Sequence, residues 1–462
     1  MTITNQHTFS SKLISEKALS FSFESIPQEV CTRAKYLMID AIGIAFASTQ
    51  YDFAKVSLAA FQELSSGDRQ VPVIGMGVSL SPRDAAVTNG VLVHGLDYDD
   101  THPEGVIHAT ASILPAVLSQ GVVSRASGKD LLTAYVLGLE VATRLGSVAN
   151  GGFHQVGFHP TGLIGAFACT VAAGWLQKLT VDQLTHAQGI VLSMASGSLE
   201  FLQDGAWTKR LHPGWAANAA ITAVTMAKYG FIGPKATYEG RFGLYKSHLG
   251  AERELRDLGE IVSSLGAKWE TLNIAVKPMP ACHFTHACTD AASIIRNAIN
   301  INHIKHITAK VPEGVMKTVC EPIASKKRPA NSYDAQFSIP YSVAVGLRFG
   351  RFNLAALDVS AYTDPITLAL AEKVSCVADP DADFPRYYSG EVVVELNDGS
   401  VHSHREAVNR GAEGRPISND DVVIKYMENV EGVLSADRAG QIRSCLENIE
   451  QHTTTDLMTF LN

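Results

Sequence analysis

A succession of apolar segments with helical character over roughly the first 265 residues constrains the fold most strongly. In each segment, apolar side chains recur at helical spacing, and Gly230 follows the last one as a helix C-terminal residue would. The segment PTGLIGAFACTVAAGWLQ is rich in Ala and Gly, and such small residues let helices approach closely. We therefore predict a packed helical core. Its predicted helices are residues 26–48, 130–150, 160–177, 181–199 and 214–230.

The pattern changes after about residue 270. Residues 306–312 and 372–380 are short and alternating, as in half-buried strands. Residues 390–408 hold two β-type runs around Asn-Asp-Gly, a strong hairpin signal. From about residue 418 the chain is helical again. The sequence predicts a mainly α fold with an α+β insertion: a large all-helical domain of residues 1–269 and 406–462, and a smaller α+β domain of residues 270–405.

Composition narrows the classes of partner. The chain has 462 residues, a formal charge of −8 and no dense Lys/Arg run, which argues against nucleic acid or an anionic membrane as a partner. The polar start, MTITNQHTFSSKL, has no apolar signal core, and no uninterrupted apolar run reaches the ~18–20 residues of a membrane span. Seven scattered cysteines without a CxxC pair predict buried free thiols. We expect a cytoplasmic protein without membrane or nucleic-acid partners.

Residues 81–101 are predicted to form a helix that carries polar groups at its end. Ser81, followed by Pro82 and then by an Asp three residues after the Ser, is a helix-start signature. From there His94, Asp97 and Thr101 fall at i, i+3 and i+7, which would put them on one helical face. An imidazole, a carboxylate and a hydroxyl on one face suggest a functional site.

The same stretch, HGLDYDDTHPEGVIH (94–108), contains signals for the end of that helix. Pro103 and Gly105 are predicted to terminate it, with His108 close behind. Asp99 and Asp100 are also consistent with a solvated helix end, although negative charge there opposes the helix dipole.

Four other stretches are unlike core sequence. HQVGFHPTG puts His159 just before Pro160 at a helix start, where free N–H groups favour anions. GAWTKRLHPGWAA brings Lys209 to the start of another helix, and KPMPACHFTH contributes Lys277 and His283. The fourth, KKRPANSYDAQFSIPYS, is basic and then aromatic. Structural alternatives are a helix cap for His159, a solvated loop lysine at 209 and a proline-stiffened crossover after Lys277.

This set of residues favours proton-transfer chemistry on a small polycarboxylate. Lysines bind carboxylates as point charges, and a histidine can take a proton α to a carboxylate and return one to a leaving group. No nucleophile elbow, P-loop or dinucleotide GxGxxG occurs in a convincing strand–helix context. We therefore predict an enzyme without an organic cofactor and assign no residue to a metal ion.

The motifs HGLDYDDTH, GFHPTG, TKRLHPGWAA and KPMPACHFTH, in this order and spacing, resemble the MmgE/PrpD family over essentially the whole chain. That family includes 2-methylcitrate dehydratases, cis-aconitate decarboxylases and iminodisuccinate epimerases. The resemblance implies a large helical domain with a small α+β lid domain, a homodimer, and a cofactor-independent lyase that acts on a di- or tricarboxylate.

The resemblance also implies roles for individual residues. His159 and His108 would share the roles of general base and acid, assisted by Asp97, and the spacing leaves open which histidine is which. Lys209 and Lys277 would bind carboxylates. We expect the catalytic set to be His159, His108, Asp97 and Lys209, and the substrate-binding set to be Thr101, Lys277 and His283.

Two departures from the family bear on the reaction. In the decarboxylases a histidine falls five places after the second lysine, where this chain has Cys282, with His283 one residue further on. A decarboxylase tyrosine expected shortly before the KKRP stretch is absent, with Cys320 nearby. Both departures weaken the decarboxylase interpretation but do not separate a dehydratase from an epimerase. We favour a hydro-lyase because elimination is the commoner chemistry of the family, with an epimerase or a decarboxylase as alternatives.

Two other functional classes stay open. The stretch DYDDTH is loosely similar to the Asp-rich Mg²⁺ motif of isoprenoid synthases, which suggests a metal-dependent enzyme. A non-catalytic carboxylate-binding protein is the other alternative.

Overall fold

The computed structural model describes residues 9–250 and 253–462, so residues 1–8 of the polar start lie outside the described residues. The chain is 59% helix and 9% strand, which confirms the mainly α fold with a small α+β part. The helices of the first half are α1 (Ser10–Leu19), α2 (Gln28–Ser48), α3 (Asp52–Leu64), α4 (Pro82–His94), α5 (Ala109–Ser124), α6 (Gly128–Val148), α7 (Gly152–Gln155), α8 (Pro160–Leu176), α9 (Val181–Val191), α10 (Thr208–Lys228), α11 (Leu244–Leu249) and α12 (Leu258–Ser263).

The rest of the described chain alternates short helices with strands and ends in three longer helices. The helices are α13 (His286–Ile295), α14 (Met316–Val319), α15 (Ile323–Lys327), α16 (Ser332–Gln336), α17 (Ile339–Phe349), α18 (Val359–Tyr362), α19 (Pro365–Glu372), α20 (Asn419–Val430), α21 (Ala436–Glu447) and α22 (Thr454–Leu461). The strands are β1 (Val71–Pro72), β2 (Ser79–Leu80), β3 (Ile304–Val311), β4 (Val374–Ala378), β5 (Gly390–Leu396) and β6 (Val401–Glu406).

Three of the five predicted helices, α2, α6 and α8, match within two residues at each end. Helix α9 is shorter than predicted, because residues 192–199 turn back towards the start of α8. The carbonyl of Gly197 there accepts a hydrogen bond from the N–H of His159, at 2.9 Å. Helix α10 begins at Thr208, six residues earlier than predicted, and therefore includes Lys209 in its first turn.

The large hydrophobic core unites helices from both ends of the chain. Apolar residues of α1–α10 form one buried cluster with those of α20–α22. Helix α8 is central in this cluster and packs against α5, α6 and α10. The core cysteines are free thiols, and of the seven cysteines only Cys376 is partly exposed, in agreement with the prediction.

Helices α4 and α10 touch through two glycines. A Cβ added to Gly90 would lie 2.4 Å from the Cα of Gly214, so only a hydrogen atom fits at this crossing. Beyond the crossing, Arg210 Nε donates to the carbonyl of Gly95 at 2.7 Å. The end of α4 and the start of α10 therefore meet, and they bring His94 and Lys209 to the same place.

The second part of the chain contains a four-stranded mixed sheet in the order β4-β3-β5-β6. Strand β3 runs parallel to β4 and antiparallel to β5, and the predicted hairpin joins β5 to β6. Helix α13 packs on β5 and β6, while α17 packs on α13. Separate apolar clusters lie here, built almost entirely from residues 279–396. The domain boundaries at 269/270 and 405/406 stay a prediction.

Among the described residues, one helix, α6, is long and apolar enough by composition to cross a membrane, and its most apolar window is wholly buried in the fold. It carries a buried ion pair between Glu140 and Arg144, at 2.5 Å. Complete burial with an internal ion pair is typical of a core helix.

Candidate active site

The polar stretch after α4 forms a turn, and the predicted helix through Thr101 is wrong. Helix α4 starts at Pro82 as predicted but ends at His94, so Asp97 and Thr101 do not share a helical face with it. Asp97 has φ of 49°, in the left-handed region. Pro103 and Gly105 lie well beyond the helix and do not terminate it.

Long-range pairing explains why the chain leaves the helix. The N–H of Thr101 donates to the carbonyl of Ala275, and the N–H of Ala275 donates to the carbonyl of Thr101, both at 2.8 Å. This bridge draws the segment that follows Ala275 alongside the turn. Lys277 therefore lies outside any helix or strand, next to Asp97, whereas Lys209 lies in the first turn of α10 as predicted.

Asp97 lies between two buried ammonium groups. Its Oδ1 is 2.6 Å from Nζ of Lys209 and 2.9 Å from Nζ of Lys277, and Lys277 also donates to its backbone carbonyl at 2.8 Å. Burial alone would raise the pKa of Asp97, but the two ammonium groups outweigh it and hold the pKa well below the ordinary value. The three side chains together carry a net charge of +1, which favours an anionic ligand.

His108 has a defined tautomer. It caps α5, and its Nδ1–H donates to the backbone carbonyl of Asp100 at 2.7 Å. A carbonyl only accepts, so the neutral ring carries its proton on Nδ1 and has a free lone pair on Nε2. That Nε2 lies 4.0 Å from Oδ1 of Asp97. Burial, then the charge of Lys277, lowers the pKa of His108 well below the ordinary value, so the ring is a neutral base.

His159 is the residue before Pro160 at the start of α8, as the sequence predicts. Its Nδ1 lies 3.1 Å from Nδ1 of His212, and its buried Nε2 has no hydrogen-bond partner in the described chain. Burial and the charge of Lys209 lower its pKa well below the ordinary value. His159 is therefore a second neutral imidazole.

Asp99 and Asp100 are buried, so their interpretation as a solvated helix end is wrong. Asp99 Oδ2 pairs with His94 Nδ1 at 2.7 Å. Burial would raise the pKa of Asp99, but the adjacent His94 lowers it below the ordinary value. Asp100 accepts hydrogen bonds from Thr110, and burial raises its pKa to about 7. Asp99 therefore holds the ring of His94, while the carboxyl group of Asp100 ties the turn to the start of α5.

A small cavity of about 30 Å³ opens above these groups, between the helical core and the α+β part. It brings together five predicted residues: Thr101, His108, His159, Lys209 and His283. Asp97 and Lys277 are not among its lining residues. The remaining walls are largely apolar or aromatic: Val106, His154, Leu199, Phe201, Leu202, Cys282, Phe284, Thr318, Phe337 and Tyr388.

His283 reaches the cavity wall as a neutral ring. The N–H of Tyr388 donates to Oδ1 of Asn409, which fixes the amide so that its Nδ2 faces Nε2 of His283 at 2.8 Å. Burial lowers the pKa of His283 to about 3. Beside it, burial raises the pKa of the Cys282 thiol to about 11, so that side chain stays protonated at neutral pH.

Several groups at the site were not predicted from the sequence. His94 was noted only as a member of a helical face, and it is a buried neighbour of His108 and His159. His154 and His212 fall inside two of the singled-out stretches, which is the signal that could have found them. Phe337, from the basic and aromatic stretch, lies under the ammonium of Lys209 at 4.8 Å.

Two groups of side chains have spacing suited to a metal ion: His94 with His108 and His159, and His94 with Asp97 and Asp99. Taken together, the cavity offers two neutral imidazoles next to a centre of net positive charge. Such an arrangement can bind a carboxylate and remove a proton from the adjacent carbon.

Comparison with known proteins agrees with this geometry. Residues 12–255 match the MmgE/PrpD N-terminal domain and residues 279–451 match the MmgE/PrpD C-terminal domain. A cis-aconitate decarboxylase from Aspergillus terreus is 28% identical over 96% of this chain and 94% of its own length. The cis-aconitate decarboxylase of Homo sapiens is 26% identical over 94% of this chain and 91% of its own length.

A 2-methylcitrate dehydratase from Escherichia coli is 26% identical over 79% of this chain and 78% of its own length. These relatives are lyases of two kinds, and at this identity they leave the particular reaction open. Since the two matched domains together cover most of the sequence, the chain belongs to the MmgE/PrpD family.

Proposed function

We propose that this protein is a cofactor-independent lyase that removes water from a small di- or tricarboxylate similar to 2-methylcitrate. The observation that carries the proposal is the pair of neutral imidazoles, His108 and His159, facing one cavity beside the Lys209–Asp97–Lys277 group. The excess positive charge of that group attracts a carboxylate, and the imidazoles supply a base at the adjacent carbon.

The reaction needs one proton to leave carbon and one to reach oxygen. An imidazole Nε2 takes the proton from the carbon next to a carboxylate, and the electron pair of the broken C–H bond forms the C=C bond. The C–O bond breaks, and the hydroxyl group leaves as water with a proton from an imidazolium. A substrate carboxylate beside Lys209 partly neutralises its charge. The pKa of His108 and of His159 then rises, so one of the two rings can hold the proton that the leaving hydroxyl group needs.

Dehydration remains our first choice because Cys282 stands where the decarboxylases have a histidine, and its thiol stays protonated. Decarboxylation is the second candidate. It is favoured by the cis-aconitate decarboxylases, which align with 94–96% of this chain, against 79% for the dehydratases. Epimerisation begins with the same proton abstraction and is a third outcome of the test. We also propose a cytoplasmic homodimer, which light scattering and fractionation would test.

Proton NMR in D₂O tests the proposal directly. The purified protein is mixed separately with 2-methylcitrate, citrate, cis-aconitate and iminodisuccinate, with and without EDTA. Loss of water from 2-methylcitrate, unaffected by EDTA, is the expected result. Release of CO₂ from cis-aconitate would support decarboxylation instead, and deuterium exchange alone would support epimerisation. No change with any substrate would refute the proposed chemistry.

Two variants separate binding from proton transfer. His159→Gln should lower kcat by about 10²–10⁴ if its imidazole moves a proton. Lys209→Met should raise KM at least as much as it lowers kcat if the ammonium binds a carboxylate equally in ground and transition states. His154→Gln, on the same cavity wall, is the matched control and should keep kcat within a few-fold. Near-wild-type turnover in His159→Gln would contradict the role of that residue.

A further inference from the structure

Three imidazoles meet in the core where three helices begin or end. His94 ends α4, His108 caps α5 and His159 caps α8. Their ring centroids are 4.9 Å (His94 to His108), 5.5 Å (His94 to His159) and 5.8 Å (His108 to His159) apart. One ring nitrogen from each lies within 4.8 Å of those of the other two. We call these three residues the histidine triad.

The Nδ1 atoms of the triad are already engaged by neighbouring groups. His94 Nδ1 pairs with the carboxylate of Asp99 at 2.7 Å, and His108 Nδ1–H donates to the carbonyl of Asp100 at 2.7 Å. A metal-binding histidine almost always donates its other ring N–H to a carboxylate or carbonyl in this way. These bonds orient both rings and leave their Nε2 atoms available to a ligand.

The Nε2 atoms are the free ones. Those of His94 and His159 are buried and have no hydrogen-bond partner within residues 9–250 and 253–462. His159 Nδ1 is occupied by His212 at 3.1 Å, so its Nε2 is likewise the atom left for a ligand. Unpaired buried nitrogen atoms are costly unless a ligand satisfies them.

The net charge of +1 on the Lys209–Asp97–Lys277 group is offset by the carboxylate of Asp99, so a divalent cation meets little net charge at the triad. The carboxylates of Asp97 and Asp99 offset the ammonium groups of Lys209 and Lys277, and all four groups lie close to the triad. The other suitably spaced set is His94 with Asp97 and Asp99, whose second oxygens, Asp97 Oδ2 and Asp99 Oδ1, also have no hydrogen-bond partner in the described chain. We favour the triad because both carboxylates already neutralise lysines or hold an imidazole.

We propose that the histidine triad binds Zn²⁺ or a similar divalent transition ion, and that this binding inhibits the enzyme. Three neutral imidazoles with an open fourth position form a typical zinc ligand set. With Zn–N bonds of about 2.0–2.1 Å, the three nitrogen atoms must come closer together by about 1.5 Å, so metal binding requires the rings to shift. Inhibition rests on the proposed function, because the metal would occupy the lone pairs of His108 and His159 that proton transfer requires.

Co²⁺ tests the site without relying on turnover. The protein is freed of metal with EDTA, exchanged into chelator-free buffer and titrated with Co²⁺, whose visible absorption is intense only in a tetrahedral or five-coordinate site. We expect one equivalent to bind and Zn²⁺ to displace it. His94→Gln and His159→Gln should each weaken Co²⁺ binding by about 10-fold or more, while the control His154→Gln should bind as the wild type does. Two triad variants keep the test valid if one fails to fold.

The kinetic arm uses whichever acid in the NMR panel is turned over. Zn²⁺ should inhibit turnover in competition with substrate, so the apparent inhibition constant should rise with substrate concentration. EDTA should restore the rate. Absence of a Co²⁺ spectrum, equal binding in all three variants, or activation by Zn²⁺ would overturn the inference. The two proposals can fail independently. A Co²⁺ spectrum without turnover would support the metal site and refute the lyase, and turnover without a Co²⁺ spectrum would support the lyase and refute the metal site.

Discussion

The Lys209–Asp97–Lys277 group makes a quantitative prediction about stability. Each lysine contacts the same carboxylate oxygen, at 2.6 and 2.9 Å, so each pair attracts by about 6 kcal/mol at an effective dielectric constant of about 20. The two ammonium groups lie no more than about 5.5 Å apart and repel each other by about 3 kcal/mol or more. The carboxylate is therefore what allows two buried cations to coexist.

Asp97→Asn removes that carboxylate charge and leaves both lysines buried and unpaired. We expect a loss of about 3–5 kcal/mol in the free energy of unfolding, as when one partner is removed from a buried ion pair. Lys277→Met removes one attraction together with the repulsion and the desolvation cost of one ammonium, so it should cost less, about 1–2 kcal/mol. The larger loss of stability expected for Asp97→Asn follows from the larger net charge that this variant leaves buried.

Urea unfolding, followed by circular dichroism, measures the free energy of unfolding of the two single variants and of the double variant. In the wild-type background Lys277→Met destabilises, whereas in the Asp97→Asn background it should stabilise, because it then removes an unpaired buried cation. This reversal of sign is the decisive result. If Lys277→Met costs the same in both backgrounds, the two residues are not coupled and the electrostatic reasoning is wrong.

Three further predictions concern packing and pH. Gly90→Ala should destabilise the protein by about 2 kcal/mol or more, because its Cβ would overlap the backbone of the facing helix. Gly440→Ala, whose Cβ would have no atom within 4 Å, should stabilise it by about 0.5–1 kcal/mol. Thermal unfolding compares the two variants. The pKa of Asp100 is raised to about 7, so as the pH rises the unfolded state loses this proton before the folded state does. The free energy of unfolding should therefore fall by about 1.4 kcal/mol per pH unit between pH 4.5 and 7 and then level off. Asp100→Asn should lack this pH-dependent component. Because the pKa of His108 is lowered, kcat/KM should not begin to fall until the pH is below 6.5. A kcat/KM that already falls with an apparent pKa of 6.5 or higher would contradict a neutral base in the free enzyme.

Local patterns in the sequence determined several of the longer secondary-structure elements. Helical spacing of apolar residues predicted α2, α6 and α8, and Asn-Asp-Gly predicted the β5–β6 hairpin, because both signals depend only on neighbours within a few positions. Acid, base and lysine residues in otherwise apolar stretches indicated the residues that meet at the cavity.

Tertiary contacts decided the geometry of the site. Helical spacing predicted that Asp97 and Thr101 share a face with His94, but the bridge between Thr101 and Ala275 draws the chain out of the helix. Burial of Asp99 and Asp100 and the meeting of three imidazoles also depend on residues more than fifty positions away, such as His159 and Lys209. Close glycine contacts between α4 and α10 position these groups, and the sequence alone does not reveal which distant surfaces will touch.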